Sequence, residues 1–582
     1  MHDLNLAAIY HMPWLEYRHA LPDGRACLRL RTARGNFDRA AARVTCNYWG
    51  DDPFAKGLDL PMELAFRDDL YDYYQVAYRP EDPRVKYVFY LYQGETTVLF
   101  DCQGPHIGGT LYPDVEEAFV FAYVYPPDPM PEWARGCVGY QIFPDRFRRA
   151  GEPEEGLEPW TSERYENERR FGGNLRGVRE AVPYLHDLGV DFIYTCPIFR
   201  SDTAHRYNTF DYYQVDPLLG TEADLKALCD ELHRHGMRLV LDGVFNHSGV
   251  GFAPFRDAVE KGKASEYYDW FFFDDSVPFG YRTFAFAEYM PKLNLRNEAC
   301  AEYFLKVGEY WLREVGVDGW RLDVSPEVYP DFWRRFHAMM KRVKPDSIMV
   351  AECWDDSREW LTVGDQFDAT MHYVLSRCIW GRFADHKLSL AEFDARINRA
   401  AMLYPHRTQE VLWNFLGSHD TPRFLTRAGG DPAMLRAASF FQLTQPGVPV
   451  IYYGDELGME GKGDPDCRRP MRWDDVEGNA MRAHYQRLTA LRHAHPSLRV
   501  GELRTHCVLK DDLYAYLRIT DTERALVVLN ATTEPQHEYL PLPEALRGRK
   551  SLTDAYTGRR LRVVGEQLEC GLDTGEGLLV FY

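Results

Sequence analysis

Apolar runs that alternate with amphipathic helical stretches between residues 121 and 502 predict an α/β fold, a (β/α)8 TIM barrel, as the core of this 582-residue chain. Strands of a parallel sheet are covered by helices on both faces, so they are continuously apolar. Helical spacing is clear at residues 222–236 and 303–316. Eight strand-like runs are found, at 138–144, 191–199, 237–245, 317–324, 347–352, 366–371, 411–417 and 448–454. Eight β–α units predict a closed barrel.

Three other segments have different patterns. Residues 1–120 contain short alternating runs without a helical pattern, which predicts an N-terminal β-sandwich. Residues 503–582 predict a C-terminal β-sandwich for the same reason. Residues 248–296 follow the third strand, are rich in aromatic residues and exceed the usual βα loop of about 2–6 residues. We interpret this insertion as a small subdomain over the carboxyl-terminal rim of the barrel.

Composition excludes several classes of protein. The formal net charge of −20 argues against a nucleic acid or an anionic membrane as partner and suits a neutral substrate. No apolar stretch reaches the length of a membrane span, and the N-terminus does not resemble a signal peptide. The twelve cysteines are scattered without metal-type spacing, so we expect a reduced, cytoplasmic protein. The aromatic content of 14% fits large cores or sugar stacking equally well.

Polar residues end several of the predicted strands. Barrel enzymes place their functional groups at the carboxyl ends of strands, and these ends meet at one rim. A charged residue at the end of an apolar strand needs a partner or a function, because burial of a lone charge is costly. The residues in question are Asp242, Asn246 and His247 after the third run, Arg321 and Asp323 after the fourth, Glu352 after the fifth, and His419 and Asp420 after the seventh.

Asp323 and Glu352 end neighbouring strands, as glycoside hydrolysis requires of its two carboxyl groups. Arg321 shares the strand face of Asp323 and is expected to keep it ionised. Burial of Glu352 after an apolar run is expected to raise its pKa toward that of a general acid. These arguments do not decide which of the two carboxyl groups is the nucleophile and which is the general acid/base. Asp242 is as well explained by a bond to Arg321 as by substrate contact.

The strand-end motifs DGVFNH, GWRLDV, AE-x-W and GSHD resemble the conserved stretches of the α-amylase family, glycoside hydrolase family 13. Residues 171–178, 205–220, 290–294 and 447–473 resemble the group of neopullulanases, cyclomaltodextrinases and maltogenic amylases. The N-terminal β-domain is similar to the carbohydrate-binding module of that group. The resemblance covers nearly the whole chain.

The resemblance implies roles for individual residues. Asp323 would be the catalytic nucleophile, Glu352 the acid/base, and Asp420 the third carboxylate, which holds ring hydroxyls. Arg321 would belong to the substrate site. The remaining substrate contacts implied are His247 and His419 with sugar hydroxyls, Tyr207 as a stacking platform, Trp354 on the leaving-group side, Asp464 and Arg468 on distal glucose, and Phe284 or Phe286 from the insertion.

The implied activity is the retaining hydrolysis of α-1,4-glucosidic bonds in maltodextrins, cyclodextrins or pullulan-type oligosaccharides. A homodimer formed through the N-terminal domain is the implied assembly. Two alternatives stay open: a glucanotransferase that uses the same covalent intermediate, and a non-catalytic carbohydrate-binding protein.

Two departures from the group bear on function. Val324 is followed by Ser325, Pro326 and Glu327, where the group has Ala-Asn-Glu. The Asn-Glu pair of the group is associated with the handling of acceptors, so this change bears on transglycosylation. Residues 148–156 replace a calcium-binding loop, and Asn174 replaces an aspartate beside it. We therefore expect no required cofactor and no metal ligands among these residues, and calcium at this loop stays open as the less favoured alternative.

Overall fold

The computed structural model describes residues 4–21, 23–46, 53–80, 84–107, 117–122, 130–152, 155–361, 363–509 and 513–582. They form two compact units. The first contains Met1–Asp128, Leu388–Gln409 and Arg504–Asp511, and the second contains Pro129–Lys387, Glu410–Leu503 and Asp512–Tyr582. Among the described residues, no helix is long and apolar enough to cross a membrane.

The first unit is an antiparallel β-sandwich. His11 lies between its layers, with Nδ1 2.7 Å from the Arg29 carbonyl oxygen on β2 and Nε2 2.6 Å from the Tyr87 hydroxyl on β6. The strand order is β1-β2-β5-β4-β3-β6-β7-β8, and β9 pairs with β6. The strands are β1 (Arg18–Ala20), β2 (Ala26–Ala33), β3 (Arg39–Cys46), β4 (Leu58–Arg67), β5 (Tyr71–Tyr78), β6 (Arg84–Gln93), β7 (Thr96–Asp101), β8 (Gly104–Ile107) and β9 (Phe119–Ala122).

The second unit contains a closed parallel barrel. Its sheet runs β17-β16-β15-β14-β11-β10-β19-β18, and a parallel bridge between Met371 and Trp413 joins the two ends. This confirms the predicted fold. The strands are β10 (Gly139–Ile142), β11 (Phe192–Thr195), β12 (Phe199–Arg200), β13 (Asp211–Val215), β14 (Arg238–Gly243), β15 (Gly319–Leu322), β16 (Ile348–Ala351), β17 (Ala369–Thr370), β18 (Trp413–Phe415) and β19 (Val448–Tyr452). The pair β12 and β13 forms a separate hairpin outside the barrel.

Fifteen α-helices occur in the described residues. They are α1 (Pro144–Phe147), α2 (Leu175–Glu180), α3 (Val182–Asp187), α4 (Glu222–Arg234), α5 (Ala253–Lys261), α6 (Glu298–Tyr310), α7 (Pro330–Val343), α8 (Arg358–Leu361), α9 (Tyr373–Ile379), α10 (Leu390–Met402), α11 (His406–Gln409), α12 (Phe424–Arg427), α13 (Pro432–Thr444), α14 (Ala480–Ala494) and α15 (Pro496–Val500). Helix α4 begins with a capping box between Thr221 and Asp224 and buries an apolar face, as its sequence pattern predicts.

Helix α10 belongs to the first unit, although it follows the sixth barrel strand in the chain. Met402 packs with Phe66 and Tyr73, and the Asn398 amide donates to the Arg67 carbonyl oxygen. The predicted domain borders at residues 120 and 502 place α10 in the barrel domain instead of in the first unit. The apolar spacing of the helix shows that it is packed on one side, but not against which partner.

The C-terminal residues form two antiparallel sheets, one containing β21, β22 and β27 and the other with the order β23-β26-β25-β24. Leu526 and Leu578 lie in the first sheet and Leu568 in the second, and all three are fully buried. The strands are β20 (Glu502–Leu509), β21 (Leu513–Ile519), β22 (Arg524–Asn530), β23 (Gln536–Pro541), β24 (Ser551–Thr553), β25 (Arg560–Val564), β26 (Gln567–Leu572) and β27 (Gly577–Phe581).

An aspartate directly precedes three of the barrel strands, at the end opposite the polar strand-end residues. Each accepts a hydrogen bond from a backbone N–H of a neighbouring strand and pairs with a histidine. The sets are Asp191 with Val138 N and His493, Asp318 with Leu239 N and His233, and Asp368 with Met349 N and His337. Burial raises the pKa of Asp318, but His233 and Lys344 lower it more, so the pKa lies below its usual range.

We predict that Asp318→Asn lowers the free energy of unfolding at neutral pH by about 3 kcal/mol, because it removes the charge that Lys344 contacts at 2.7 Å. The folded-state pKa is depressed, so this stabilisation is present above the unfolded-state pKa and is lost as the pH falls through the folded value. Urea unfolding of both proteins between neutral pH and about pH 2 measures the difference. The exposed Asp346→Asn is the control, and an equal loss at every pH would contradict the linkage.

Candidate active site

The carboxyl ends of the barrel strands border a cavity of about 560 Å³, a typical volume for a small-molecule site. Most of the residues that the sequence singled out line it. They are Tyr207, His247, Phe284, Asp323, Glu352, Trp354, Asp420, Asp464 and Arg468. Arg321 and His419 are buried beside these residues and are not among those that line the cavity.

Strand register brings Asp323 and Glu352 together. Leu322 on β15 pairs with Ala351 on β16, so the next residue of each strand is one of the two carboxylates. The Glu352 N–H donates to the Leu322 carbonyl oxygen at 3.0 Å, which continues the ladder by one step. The two carboxyl groups therefore extend from adjacent strands at the same rim, close enough for each to affect the pKa of the other.

Arg321 links the carboxylates at the base of the site and is fully buried. Its Nη1 lies 2.7 Å from Asp323 Oδ1 and 3.1 Å from both oxygens of Asp242. Its Nη2 lies 3.1 Å from Glu352 Oε2. Asp242 is also buried and does not line the cavity, so the structure gives it a bond to Arg321 rather than substrate contact. One guanidinium therefore holds three acidic side chains.

The pKa shifts of the two carboxyls run opposite to the sequence-based expectation. Burial and the neighbouring Glu352 raise the pKa of Asp323 well above its usual range and outweigh Arg321. Burial also raises the pKa of Glu352, but Arg321, the Val324 N–H and the Trp354 indole lower it further, so it ends below its usual range. The expectation of a raised Glu352 and a depressed Asp323 is wrong for this structure, because Glu352 has more donors.

Backbone conformation supplies one of those donors. Val324 has φ 48° and ψ 44°, a left-handed conformation that is uncommon for a β-branched residue and costs about 1–3 kcal/mol. The Val324 N–H donates to Glu352 Oε2 at 2.9 Å. Ser325 then begins a short 3-10 turn to Glu327, and its hydroxyl donates to the Leu322 carbonyl oxygen at 2.7 Å. The strained turn therefore fixes the carboxyl group of Glu352.

Trp354 contacts Glu352 directly. Its indole Nε1–H donates to Glu352 Oε1 at 2.9 Å. The ring is 43% exposed in the cavity and stacks on Tyr373 with centroids 4.2 Å apart. Its exposed face is available as an aromatic platform, and its edge orients the carboxyl group.

Asp420 lies between His419 and Arg468. Its Oδ2 is 3.1 Å from His419 Nε2, and its Oδ1 is 3.4 Å from Arg468 Nη2. Arg468 also contacts Asp464 at 2.7 Å and donates to the Asn167 side-chain oxygen at 3.1 Å. Burial and Glu352 raise the pKa of Asp420 to about 7, against the opposing effect of Arg468. Arg468 therefore joins the third carboxylate to the outer part of the cavity.

His247 presents an unpaired nitrogen. The side chain is fully buried, and within the described residues its Nε2 has no hydrogen-bond partner. Burial lowers its pKa to about 3, so the ring is neutral. Phe284 stacks on it with centroids 4.9 Å apart and lines the cavity. Phe286 is 88% exposed and does not line the cavity, so of these two phenylalanines only Phe284 lies at the site.

Tyr207 is held by its hydroxyl. The hydroxyl donates to Asp242 Oδ2 at 3.0 Å and lies 2.5 Å from His419 Nε2. The planes of the Tyr207 and His419 rings differ by 2°. A fixed, nearly buried ring at the cavity wall fits a stacking role.

Sequence reasoning missed several lining residues, among them Asn167, Tyr289 and Met290. Asn167 lies in a polar loop whose pattern contains no signal of proximity to the barrel. Lys292 and Glu327 form an ion pair at 2.9 Å beside the cavity. The MPKLN motif at residues 290–294 contains this lysine, but the sequence contains no signal that Lys292 pairs with Glu327.

Two groups of side chains among the described residues have metal-ligand proximity, Cys229 with His233 and Asp318, and Asp101 with His106 and Glu117. Neither group lines the cavity. In the first, Lys344 already neutralises Asp318 at 2.7 Å. Residues 153 and 154 of the loop at 148–156 lie outside the described residues.

Known protein families match both parts of the chain. The model of the α-amylase catalytic domain matches residues 141–491, and that of the α-amylase N-terminal Ig-like domain matches residues 4–125. Neopullulanase 2 of Thermoactinomyces vulgaris is 38% identical over 99% of both chains. The maltogenic alpha-amylase of Bacillus acidopullulyticus is 39% identical over 90% of this chain and 91% of its own.

A solved structure of a cyclomaltodextrinase covers 99% of this chain and 100% of its own, with a TM-score of 0.91 and 35% identity. Fold and sequence therefore agree with this family over nearly the whole length of the chain. The chain belongs to the α-amylase family of glycoside hydrolases.

Proposed function

We propose that this enzyme hydrolyses α-1,4-glucosidic bonds of maltodextrins, cyclodextrins or pullulan-type oligosaccharides with retention of anomeric configuration. The placement of the Asp323 and Glu352 carboxyls carries this proposal: they follow paired residues of adjacent strands, and the Arg321 guanidinium contacts them at 2.7 and 3.1 Å. Inverting enzymes separate their carboxyls by about 6.5–9.5 Å to admit a water molecule, whereas retaining enzymes hold them about 5–5.5 Å apart. Carboxyls that share one guanidinium suit the shorter separation and so favour retention.

Asp323 is the proposed nucleophile and Glu352 the proposed acid/base. Attack of Asp323 on the anomeric carbon breaks the glycosidic bond while Glu352 gives its proton to the leaving oxygen. Glu352 then takes a proton from water, which hydrolyses the glycosyl ester. Because each carboxyl affects the ionisation of the other, entry of a glycosidic oxygen as acceptor favours the proton on Glu352, which leaves Asp323 ionised.

The other cavity residues supply substrate contacts in this proposal. Asp420 and the free Nε2 of His247 take up ring hydroxyls, and Tyr207 and Trp354 offer aromatic faces. Asp464 and Arg468 bind glucose units farther from the cleaved bond. Phe284 borders the cavity from the insertion.

Product analysis tests the activity. Cyclodextrin, pullulan, starch and maltodextrin are incubated separately, and the anomer released first is identified by proton NMR. Initial α-anomers support retention, and initial β-anomers would refute it. Products longer than the substrate at high acceptor concentration would instead favour the glucanotransferase, for which the altered residues after Val324 are the first place to look.

We predict that Asp323→Asn and Glu352→Gln each lower kcat by several orders of magnitude, because each removes a group that forms or breaks a bond. Steady-state kinetics on maltodextrin measure the loss, and circular dichroism verifies folding. Asp331→Asn and Glu359→Gln are matched controls with exposed side chains. Turnover near that of the wild type in either variant would refute the catalytic role assigned to that residue.

We propose further that the loop beside Asn174 binds no calcium. The Asn174 side chain donates to the Ala150 carbonyl oxygen at 2.9 Å and accepts from Gly177 N at 2.8 Å. An amide N–H occupies the position that a cation would need at this carbonyl. The nearby Asp145 carboxylate is taken by Arg146 at 2.8 Å and by backbone N–H groups. The described residues of the loop therefore do not fit a calcium site.

The melting temperature should not change with EDTA or with added calcium. Asn174→Asp should destabilise the fold by about 1 kcal/mol, because a carboxylate cannot donate to Ala150. Asn297→Asp is the control, since Asn297 caps α6 through its oxygen, which aspartate retains. A clear fall in the wild-type melting temperature on chelation would contradict the proposal.

A homodimer through the N-terminal domain is also proposed, together with a cytoplasmic location. Trp14, Leu58 and Leu70 of this domain are each more than half exposed, which suits an interface. Each of the eleven cysteines whose side chains are described is a free thiol, as in a reducing compartment. Light scattering at micromolar concentration should give twice the mass of the chain, and a pure monomer would exclude the dimer.

A further inference from the structure

Gln141 lies on β10 and has no part in the function proposed above. It is 2% exposed, and its side-chain nitrogen lies 2.7 Å from His419 Nδ1. The same nitrogen lies 3.6 Å from Cys196 Sγ. An amide can present either its N–H groups or its oxygen, so the orientation must be derived from the partners.

Gln141, His419, Tyr207 and Asp242 form a chain of hydrogen bonds, and its protons can be assigned by starting from Asp242. Asp242 Oδ2 faces the hydroxyls of Tyr194 at 2.5 Å and Tyr207 at 3.0 Å, and Arg321 donates to both Asp242 oxygens. A carboxylate with three donors around it acts as acceptor only. The single hydroxyl proton of Tyr207 is therefore committed to Asp242.

The Tyr207 oxygen must then accept from its other neighbour. That neighbour is His419 Nε2 at 2.5 Å, so the imidazole proton lies on Nε2. Burial, Arg468 and Arg321 lower the pKa of His419 well below its ordinary value, so the ring carries one proton only. Nδ1 is therefore bare and needs a donor, which the Gln141 amide N–H supplies.

We propose that Gln141 is a positioning residue that holds His419 in the Nε2–H tautomer. This tautomer directs an N–H toward Tyr207 and toward Asp420 Oδ2, which lies 3.1 Å from Nε2. Gln141 thereby sets the orientation of a cavity ring and of the third carboxylate without touching substrate. The tautomer does not depend on the proposed function, whereas its effect on turnover rests on it.

Neutron diffraction from deuterated crystals of the whole chain tests the tautomer directly. We expect deuterium on His419 Nε2, none on Nδ1, and the Gln141 amide nitrogen turned toward Nδ1. Deuterium on Nδ1 would overturn the proposal. The measurement does not use activity, so its outcome is separate from that of the product analysis.

Variants test the consequence for turnover. Gln141→Met removes the donor and should lower kcat/KM about tenfold, the effect of one lost buried hydrogen bond. Gln442→Met is the matched control, because Gln442 is equally buried and donates only to backbone carbonyl oxygens of Asn414 and Val450. If both variants lose stability and kcat/KM alike, Gln141 is merely structural and the positioning role is refuted.

Gln141→Glu keeps the shape but replaces the donor with an acceptor. A carboxylate there raises the pKa of His419 and favours the doubly protonated ring, so the pH profile of kcat should acquire a new ionisation. The charged or titratable groups that face His419 are Tyr207, Asp420, Arg468, Arg321 and His205. An unchanged profile would contradict the proposal. If either Gln141 variant does not fold, the neutron measurement on the wild type still decides the tautomer.

Discussion

The buried guanidinium of Arg321 is the interaction on which the site depends. A lone charge inside the barrel would be prohibitively costly, and Asp242, Asp323 and Glu352 offset it. The dependence is mutual, since three acidic groups could not share this volume without the cation. The hydroxyls of Tyr194 and of Tyr207, which lines the cavity, also converge on Asp242. The ion pairs between Arg321 and its three acidic partners thus fix the positions of several side chains.

Much of the fold was predictable from local patterns. Continuous apolar runs followed by amphipathic helices marked the eight barrel strands, because burial on both faces leaves a distinctive sequence. Helix α10 shows the limit: its apolar face is evident, but Met402 packs on Phe66 and Tyr73 more than 300 positions away in sequence. No local pattern contains information on a contact of that kind.

The candidate site, like the fold, could be predicted from the sequence only in part. Asp323, Glu352 and Asp420 could be located because polar residues at strand ends are conspicuous. The relative pKa of the first two could not, because the deciding donors are the backbone N–H of Val324 and the indole of Trp354. A left-handed valine is not predictable from propensity, since it is strained and held only by its surroundings.

The aspartates that precede three barrel strands have a consequence for engineering. They hold backbone N–H groups and histidines at the end of the barrel away from the cavity, and the lowered pKa values of Asp318 and Asp368 make this end sensitive to acid. Acid tolerance and specificity are therefore separable traits in this enzyme. Substitutions around Asp318 and Asp368 can adjust the working pH range of the protein, while the loops at the opposite rim remain free to diversify.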